Sequence, residues 1–331
     1  MSRIHIIARD NGAGLSRDMA LLARVLADGG CEVTVSAIGD HRMDHLARNI
    51  RLRCGIAWRG WREGVARGRF DVNLIVQHVP EKYLAVARRN ALIPNPEWFL
   101  PEYRQHLPAF DRVFAKTREG QRIFDALGCR TELIGFTSPD RRIEGGQRAA
   151  TFLHVPGRSS HKGTQPIVAA WMDHPDWPLL TVVQREKQRI PAKLPANLRF
   201  LTHYLADAEL QRLQNGNAFH LCPSETEGFG HYLVEGMSAG AVVLTTDAPP
   251  MNEIVTVERG LLVAWTDTGS HHLATTYHVD AQTLGAAVER ALALTSAQRT
   301  ALGERARAWY EENDREFRAR LIAAADALAN L

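Results

Sequence analysis

The sequence has few cysteines, no long apolar run and little excess of either sign of charge. Four cysteines occur among 331 residues and none forms a Cys-x-x-Cys pair, which argues against a zinc knuckle and fits a reduced compartment. No apolar run approaches the roughly 18 residues of a membrane-spanning helix, and the start of the chain lacks a signal-peptide layout. The net charge is only +3, far from the dense positive charge of a nucleic-acid binder. We therefore expect a cytoplasmic protein with no nucleic acid partner.

The chain alternates short apolar runs with longer amphipathic ones, a rhythm typical of parallel sheets covered by helices. A charged segment at residues 141–149, which contains Gly145-Gly146 and has no apolar period, interrupts this rhythm. We predict an α/β protein with two doubly wound, Rossmann-like domains that face each other across a cleft. The first domain covers residues 1–145 and the second covers residues 146–310. Residues 311–331 are predicted to form a C-terminal helix that packs back toward the N-terminal domain, after a bend or break near Asn313-Asp314.

Ligands of open parallel sheets bind at the carboxyl ends of strands, so the first loop to consider follows the first predicted strand. There, Gly12 and Gly14 allow close backbone approach, and the helix that follows offers free N–H groups to an anion. A dinucleotide fingerprint needs a third glycine where Arg17 stands, and no acidic residue ends the second strand. A nicotinamide oxidoreductase is therefore disfavoured, and a plain tight turn is the alternative to an anion site.

The loop after the first strand of the second domain carries two cations four residues apart, Arg158 and Lys162, and leads into a helix. Arginine can fork onto two phosphate oxygens, lysine supplies a point charge, and the helix start adds partial positive charge. This combination suits a diphosphate, whereas the alternative is a solvated basic loop. Only five lysines occur in the chain and one of them lies in this loop, which favours a diphosphate site over a solvated basic loop.

A second loop of the same domain combines glycines with two glutamates. Glu227 precedes the Gly-Phe-Gly of Gly228, Phe229 and Gly230, and Glu235 follows eight residues later inside the next predicted helix. Two carboxylates so placed can accept hydrogen bonds from two hydroxyl-bearing rings, such as a sugar and a ribose joined by a diphosphate. For Glu235 alone, the alternative is a surface carboxylate favoured by the helix dipole.

These residues, the Gly-Met-Ser-Ala-Gly run that follows and a further glutamate at Glu253 resemble the E-x7-E signature of glycosyltransferase family 4 (group 1). Members of that family are retaining, nucleotide-sugar-dependent enzymes of the GT-B fold. The resemblance covers nearly all of the second domain, including the Arg158 and Lys162 loop, and is weak in the first domain. It makes the first domain the acceptor side and the second the nucleotide-sugar side.

The resemblance also implies roles for the residues that match. Arg158 and Lys162 would hold the diphosphate and stabilise it as a leaving group, and Glu235 would bind the ribose hydroxyls. Glu227 and the loop of Gly228, Phe229, Gly230 and His231 would hold the transferred sugar, and Gly12 and Gly14 would approach the diphosphate from the first domain. Transfer would occur at the front face with retention, without a metal or other cofactor. The sequence agrees about the metal, since it has no Asp-x-Asp and no His-Glu-x-x-His.

The sequence departs from the family in the first domain, where a histidine often follows a mid-domain strand near the sugar. Here that strand leads into Asn95 and Glu97, while His78 ends another strand and competes for the role. Lys116 is a cleft candidate because it also ends a strand. For each of these residues the alternative is a turn-capping or structural role.

In the second domain, Pro249-Pro250 replaces the usual glycine pair, so donor identity cannot be carried over from relatives. His203 and Tyr204 follow a predicted strand and are candidate neighbours of the nucleobase, with simple packing as the alternative.

The stretch from Arg48 to Arg69 interleaves arginines with Trp58 and Trp61. It predicts either peripheral contact with an anionic bilayer, at the inner membrane face, or an exposed arginine-rich helix with its tryptophans in the core.

The sequence as a whole favours a retaining, metal-independent glycosyltransferase that moves a hexosyl unit from a UDP- or GDP-sugar to a hydroxyl acceptor, either a glycan, a lipid-linked molecule or a small molecule. A nucleotide-sugar epimerase, a sugar phosphorylase and a non-catalytic nucleotide-sugar binder are the alternatives on the same scaffold.

Overall fold

The computed structural model describes residues 1–9, 14–38, 68–157, 159–184 and 190–331. Gly12, Arg158 and the basic stretch before Gly68 lie outside the described residues. The chain divides into two compact units. The first unit is Met1–Phe136 together with Arg315–Leu331, and the second is Thr137–Asp314.

The first unit contains a parallel six-stranded sheet whose strands follow the order β2-β1-β3-β4-β5-β6. Its core strands are short apolar runs that are buried along most of their length, as the sequence pattern predicted. The strands are β1 Arg3–Arg9, β2 Glu32–Ile38, β3 Phe70–Val76, β4 Ala87–Ile93, β5 Arg112–Ala115 and β6 Thr131–Leu133. Among the described residues before Phe136, the α-helices are α1 Gly14–Asp28 and α2 Arg118–Ala126, and Thr117 caps α2 by accepting from the Gly120 amide at 3.0 Å.

The second unit repeats this plan with a parallel sheet in the order β12-β11-β10-β7-β8-β9. Its strands are β7 Ala149–Gly157, β8 Leu180–Gln184, β9 Leu198–Leu201, β10 Asn217–Cys222, β11 Val242–Thr246 and β12 Leu261–Val263. Its helices are α3 Thr164–Asp173, α4 Asp207–Gly216, α5 His231–Ala239, α6 Met251–Ile254, α7 Ala281–Leu292 and α8 Ser296–Ala329. Two doubly wound, Rossmann-like α/β units are therefore present, which confirms the predicted α/β class with two such domains.

The segment that the sequence analysis read as a polar joint belongs structurally to the second unit. The Arg141 amide donates to Ser238 Oγ at 3.0 Å, and the Ile143 amide donates to Asn215 Oδ1 at 2.9 Å. These hydrogen bonds bind residues 141–143 to α4 and α5, so the unit begins at Thr137 rather than near residue 146.

Two further elements differ from the sequence prediction. Helix α8 runs through Asn313-Asp314 without the predicted break, and its residues from Arg315 onward belong to the first unit. There, Phe317 packs against Phe136 with ring centroids 5.0 Å apart. The second unit also has an antiparallel hairpin, β13 Asp267–His271 and β14 Ala274–His278, which has no clear apolar alternation to signal it. Among the described residues, no helix is long and apolar enough to cross a bilayer.

Three histidines are buried in the sheets, and each makes hydrogen bonds there. His5 contacts Asn73 and Ser36, His154 Nδ1 donates to the Leu221 carbonyl at 2.7 Å, and His220 Nε2 donates to the Gln214 carbonyl at 2.9 Å. Burial disfavours the imidazolium and lowers the pKa of each histidine from 6.5 to about 4.

Because these folded-state pKa values lie below the unfolded value, the unfolded chain binds more protons between pH 6.5 and about 4. We predict that the free energy of unfolding falls as pH drops through this window, by up to about 1.4 kcal/mol per pH unit for each histidine. Urea unfolding at several pH values measures this dependence. Near pH 5, the free energy of unfolding of His154→Gln should change by about 1.4 kcal/mol per pH unit less than that of the wild type. His203→Gln, at an exposed position, is the control, and an unchanged slope in His154→Gln would contradict the prediction.

Candidate functional site

Two loops of the second unit meet at the carboxyl ends of neighbouring strands β7 and β10. The first loop ends at Gly163, which precedes α3 and has a φ of 64°, and the second begins at Pro223. A Cβ atom on Gly163 would lie 2.3 Å from the Pro223 carbonyl oxygen, so only glycine permits this approach. The Glu225 amide donates to the His161 carbonyl at 3.1 Å and ties the loops together.

This approach brings Lys162 to Glu227, and the two side chains form a short ion pair between Nζ and Oε1. Both are largely sequestered, with 15% of the Lys162 side chain and 8% of the Glu227 side chain exposed. Ser224 Oγ donates to the same Glu227 oxygen at 2.5 Å. The pair is thus held in a defined geometry, with one carboxylate oxygen receiving two donors.

Tyr232 completes this cluster from the first turn of α5. Its hydroxyl makes a short hydrogen bond with Ser224 Oγ, and the Lys162 ammonium lies 4.5 Å from the centre of its ring. Burial raises the pKa of Tyr232 well above 10, so the phenol stays protonated. Since the Ser224 proton goes to Glu227, Tyr232 is the donor to Ser224.

Glu235 lies on α5 and is buried, so it is not the surface carboxylate that the sequence left as an alternative. Gln214 Nε2 donates to Glu235 Oε2 at 2.9 Å, and Gln214 Oε1 accepts from Arg141 Nε at 2.7 Å. Arg141 Nη1 in turn pairs with Asp207 at 2.9 Å. This chain fixes the orientation of the Glu235 carboxylate. Sequence reasoning missed its members, because they belong to different elements and carry no local motif.

The glycine loop between the two glutamates leads into α5. Gly230 precedes the helix with a φ of 96°, and a Cβ there would lie 2.2 Å from Leu233 Cδ1. Gly228 belongs to the same turn. Phe229 is buried and its ring meets the His231 ring edge-on at 5.6 Å, while His231 Nδ1 lies 2.8 Å from Ser138 Oγ. The backbone of the loop is therefore positioned by packing on both sides.

The unpredicted hairpin also reaches this region. Glu225 Oε2 lies 2.7 Å from His161 Nδ1, and Glu225 Oε1 lies 3.6 Å from His278 Nδ1 on β14. The Tyr277 amide donates to the Glu225 carbonyl at 2.8 Å. The hairpin thus supports the loop that holds Glu227.

The candidates of the first unit occupy strand ends but make internal contacts. Lys116 Nζ lies 2.5 Å from Asp18 Oδ2, with 2% of the lysine side chain exposed, and 4.3 Å from the centre of the Phe136 ring. Asn95 Nδ2 donates to Gln77 Oε1 at 2.9 Å. Both side chains therefore have partners within this unit, and their contact with a ligand remains a prediction.

His78 and Glu97 are the other candidates of the first unit. Burial, with a smaller contribution from Arg9, lowers the pKa of His78, and its ring lies 6.1 Å from that of Tyr103. Glu97 is buried in a short 3-10 helix, Pro96–Trp98. Gly14 is the first residue of α1, beside the undescribed part of the glycine loop.

The nucleobase candidates of the second unit are exposed. Tyr204 is 93% exposed, and His203 Nε2 lies 4.0 Å from Glu209. Packing therefore does not account for the Tyr204 ring, which leaves it accessible to a ligand. In the part of the chain that the structure describes, no group of three or more histidine, cysteine, aspartate or glutamate side chains is arranged to hold a metal ion.

Comparison with known proteins gives one family match and several structural neighbours. The model of a family described as glycosyl transferases group 1 matches residues 181–309. No curated protein matches the sequence.

A glycosyltransferase from Rickettsia africae ESF-5 has a TM-score of 0.74 at 12% identity, over 99% of this chain and 98% of that chain. HepE from Anabaena, in complex with UDP-glucose, has a TM-score of 0.67 at 14% identity, over 100% of both chains. Sucrose-phosphate synthase from Thermosynechococcus elongatus has a TM-score of 0.65 at 16% identity, over 99% of this chain and 96% of that chain. At these identities the likeness shows the fold, which is that of GT-B glycosyltransferases. Together with the family match, it supports the group 1 glycosyltransferase superfamily.

The close approach at Gly163 gives a direct test of the site geometry. We predict that Gly163→Ala lowers the free energy of unfolding by about 2–4 kcal/mol, because the left-handed backbone and the contact with Pro223 both exclude a methyl group. Gly146→Ala is the matched control, since a Cβ there meets nothing within 4 Å. Equal stability of the two variants in chemical denaturation would refute the geometry.

Proposed function

We propose that this protein is a retaining glycosyltransferase of family 4 that transfers a hexosyl unit from a nucleotide-sugar to a hydroxyl acceptor without a metal. The observation that carries the proposal is the Lys162–Glu227 ion pair, set next to the helix that holds Glu235. A cation is the complementary group for a diphosphate. The loop carboxylate and the helix carboxylate are the complementary groups for the two hydroxylated rings that flank it. The UDP-glucose complex of HepE supports UDP as the nucleotide to test first.

The donor would bind at the carboxyl ends of β7 and β10, where the N-termini of α3 and α5 also lie. Lys162 and Arg158 would contact the diphosphate, with the partial positive charge of the helix ends behind them. Glu235, oriented by Gln214, would accept hydrogen bonds from the ribose hydroxyls. Glu227 and the backbone from Gly228 to His231 would contact the sugar.

The ion pair gives a physical account of how the donor engages. A diphosphate carries more negative charge than a carboxylate, so it competes with Glu227 for the Lys162 ammonium. When Lys162 turns to the diphosphate, Glu227 Oε1 loses one donor and can accept a hydrogen bond from a sugar hydroxyl in its place. One event thereby prepares both the leaving group and the sugar contact.

In the transfer step, the acceptor oxygen bonds to the anomeric carbon on the face that the nucleotide leaves. The bond between that carbon and the phosphate oxygen breaks, the bonding pair stays on the nucleotide, and the acceptor hydroxyl proton passes to the departing phosphate group on the same face as the new bond completes. Lys162, Arg158 and the helix N-termini then face more negative charge than in the bound donor, which is the condition for electrostatic catalysis. No described residue is required as a covalent nucleophile in this step.

Two measurements test the proposal before any variant is made. In thermal-shift measurements with UDP, GDP and their sugars, one nucleotide should raise Tm, by an amount that grows with the logarithm of the ligand concentration over Kd. Donor turnover should then depend on an added acceptor, and proton NMR should show a product with the anomeric configuration of the donor. Turnover without an acceptor would indicate an epimerase, an inverted product would overturn retention, and binding without turnover across acceptors would indicate a binder.

Substitution at Lys162 tests the leaving-group contact. Lys162→Met should lower kcat/KM by roughly 100- to 1,000-fold, because one electrostatic donor at a developing charge is worth about that factor. Lys193→Met, at an exposed lysine of the same unit, should leave kcat/KM within twofold of the wild type. An unchanged kcat/KM in a folded Lys162→Met protein would disprove the contact.

Substitutions of Glu227 and Glu235 should have different effects on kcat and on the affinity for UDP. Glu227→Gln should lower kcat more than it weakens the affinity for UDP, whereas Glu235→Gln should weaken UDP binding by about tenfold through lost charge-assisted hydrogen bonds. Calorimetric titration of UDP and steady-state kinetics measure the two effects, with Glu209→Gln as the exposed control. Equal losses of UDP affinity in both variants would argue against the division of roles.

A further inference from the structure

A cavity of about 320 Å³ lies in the second unit at the amino ends of β7, β10 and β11. Its wall includes three arginines, Arg142, Arg148 and Arg299, and one glutamate, Glu304. Gly146 and Gly240 form part of the remaining wall. We call this space the arginine cavity. Its charged lining carries a net charge of about +2 at neutral pH.

The arginine cavity is separate from the proposed donor site. Strand β7 runs from Ala149 beside the cavity to Gly157 at the donor loop, a span of roughly 25 Å at the usual rise of a strand. Helix α5 likewise begins after Gly230 in the donor loop and ends at Gly240 in the cavity wall. A ligand in the cavity would therefore not overlap a nucleotide-sugar at the other end of the sheet.

Arg148 is incompletely satisfied by the protein. Its Nη2 donates to the Ala239 carbonyl at the end of α5, while its Nη1 is buried without a hydrogen-bond partner among the described residues. A buried donor without a partner costs about 1–3 kcal/mol, and more when it is charged. Because Nη1 is closed off from the cavity as well as from solvent, Arg148 acts on the cavity through its positive charge and not through a free N–H group.

A second guanidinium lies beside it. A Cβ on Gly240 would lie 3.4 Å from Arg148 Nη2 and 3.6 Å from Arg142 Nη1, so both groups converge on one point of the backbone. Burial and the repulsion from Arg142 together lower the pKa of Arg148. Arg142 Nε pairs with Glu144, whose side chain is 84% exposed, so this acid does not neutralise the interior of the cavity.

The rest of the wall is suited to an oxyanion. Ser296 and Thr300 line the cavity on the first turns of α8, where hydroxyl donors and the positive end of the helix dipole coincide. The volume falls at the lower end of the range for small-molecule pockets, about 300–1,000 Å³. It leaves room beyond a bare oxyanion for a small organic group.

We propose that the arginine cavity binds a phosphate group, carried by a small phosphorylated metabolite or supplied as inorganic phosphate. Arg142 contacts the phosphate from one side with the charge of Arg148 behind it, and Ser296, Thr300 and the start of α8 hold it from the other. This site is independent of the donor site and of the proposed transferase activity.

The test uses a residue whose change does not disturb the fold. A Cβ on Gly146 meets nothing within 4 Å and its backbone is not left-handed, so Gly146→Asp adds a negative charge to the cavity and Gly146→Ala adds only a methyl group. Isothermal titration with inorganic phosphate and with glucose 1-phosphate measures binding to the full-length wild type and both variants. Thermal unfolding without ligand establishes that the variants are folded.

We expect both probes to bind the wild type and Gly146→Ala with similar affinity, and to bind Gly146→Asp and Arg148→Gln at least tenfold more weakly. Lys162→Met should keep the wild-type affinity, which assigns the binding to the cavity whether or not the donor site is as proposed. Tighter binding of glucose 1-phosphate identifies a phosphorylated metabolite as the ligand, and equal affinities identify the phosphate group alone. No binding of either probe to the wild type, or undiminished binding to Gly146→Asp, would overturn the proposal.

Discussion

The ion pair between Lys162 and Glu227 is the interaction on which the candidate site depends. It joins the loops that follow two adjacent parallel strands, and it forms because Gly163 lets one loop lie directly against the Pro223 carbonyl. Breaking a buried pair from one side costs about 3–5 kcal/mol, because the remaining charge is left uncompensated. In the proposed complex the diphosphate keeps Lys162 paired, and a sugar hydroxyl donates to the Glu227 oxygen that Lys162 leaves, so neither group is left without a partner. The pair is therefore stable in the free protein and still open to exchange.

Helix α5 connects the two ends of the second unit. Near its start it carries Tyr232 and Glu235, and at its end the Ala239 carbonyl accepts from Arg148. Arg141 reaches Gln214 and thereby Glu235, while its backbone amide bonds Ser238 on the same helix. The residues around the donor loop and those around the arginine cavity thus belong to one hydrogen-bonded framework. That framework also explains why residues 141–143 belong to the second unit.

The sequence could predict the sheets and the strand-end location of Lys162 and Glu227, because both follow from apolar runs and from the rule for parallel sheets. It could not predict that the two side chains pair, since this depends on β7 and β10 being neighbours in the sheet. The hairpin that supports Glu225 was missed because its strands are polar. It also could not predict that Lys116 pairs with Asp18, because Asp18 lies 98 residues away in the sequence and leaves no local pattern.

A double-mutant cycle tests the exchange of Lys162 most directly. The free energy of unfolding is measured for the wild type, Lys162→Met, Glu227→Gln and the double variant, first without UDP and then with saturating UDP. The account predicts a coupling energy of about 2 kcal/mol or more without UDP, as expected for a buried pair, and a clearly smaller value with UDP bound. Additive effects without UDP, or a coupling energy that UDP leaves unchanged, would contradict it.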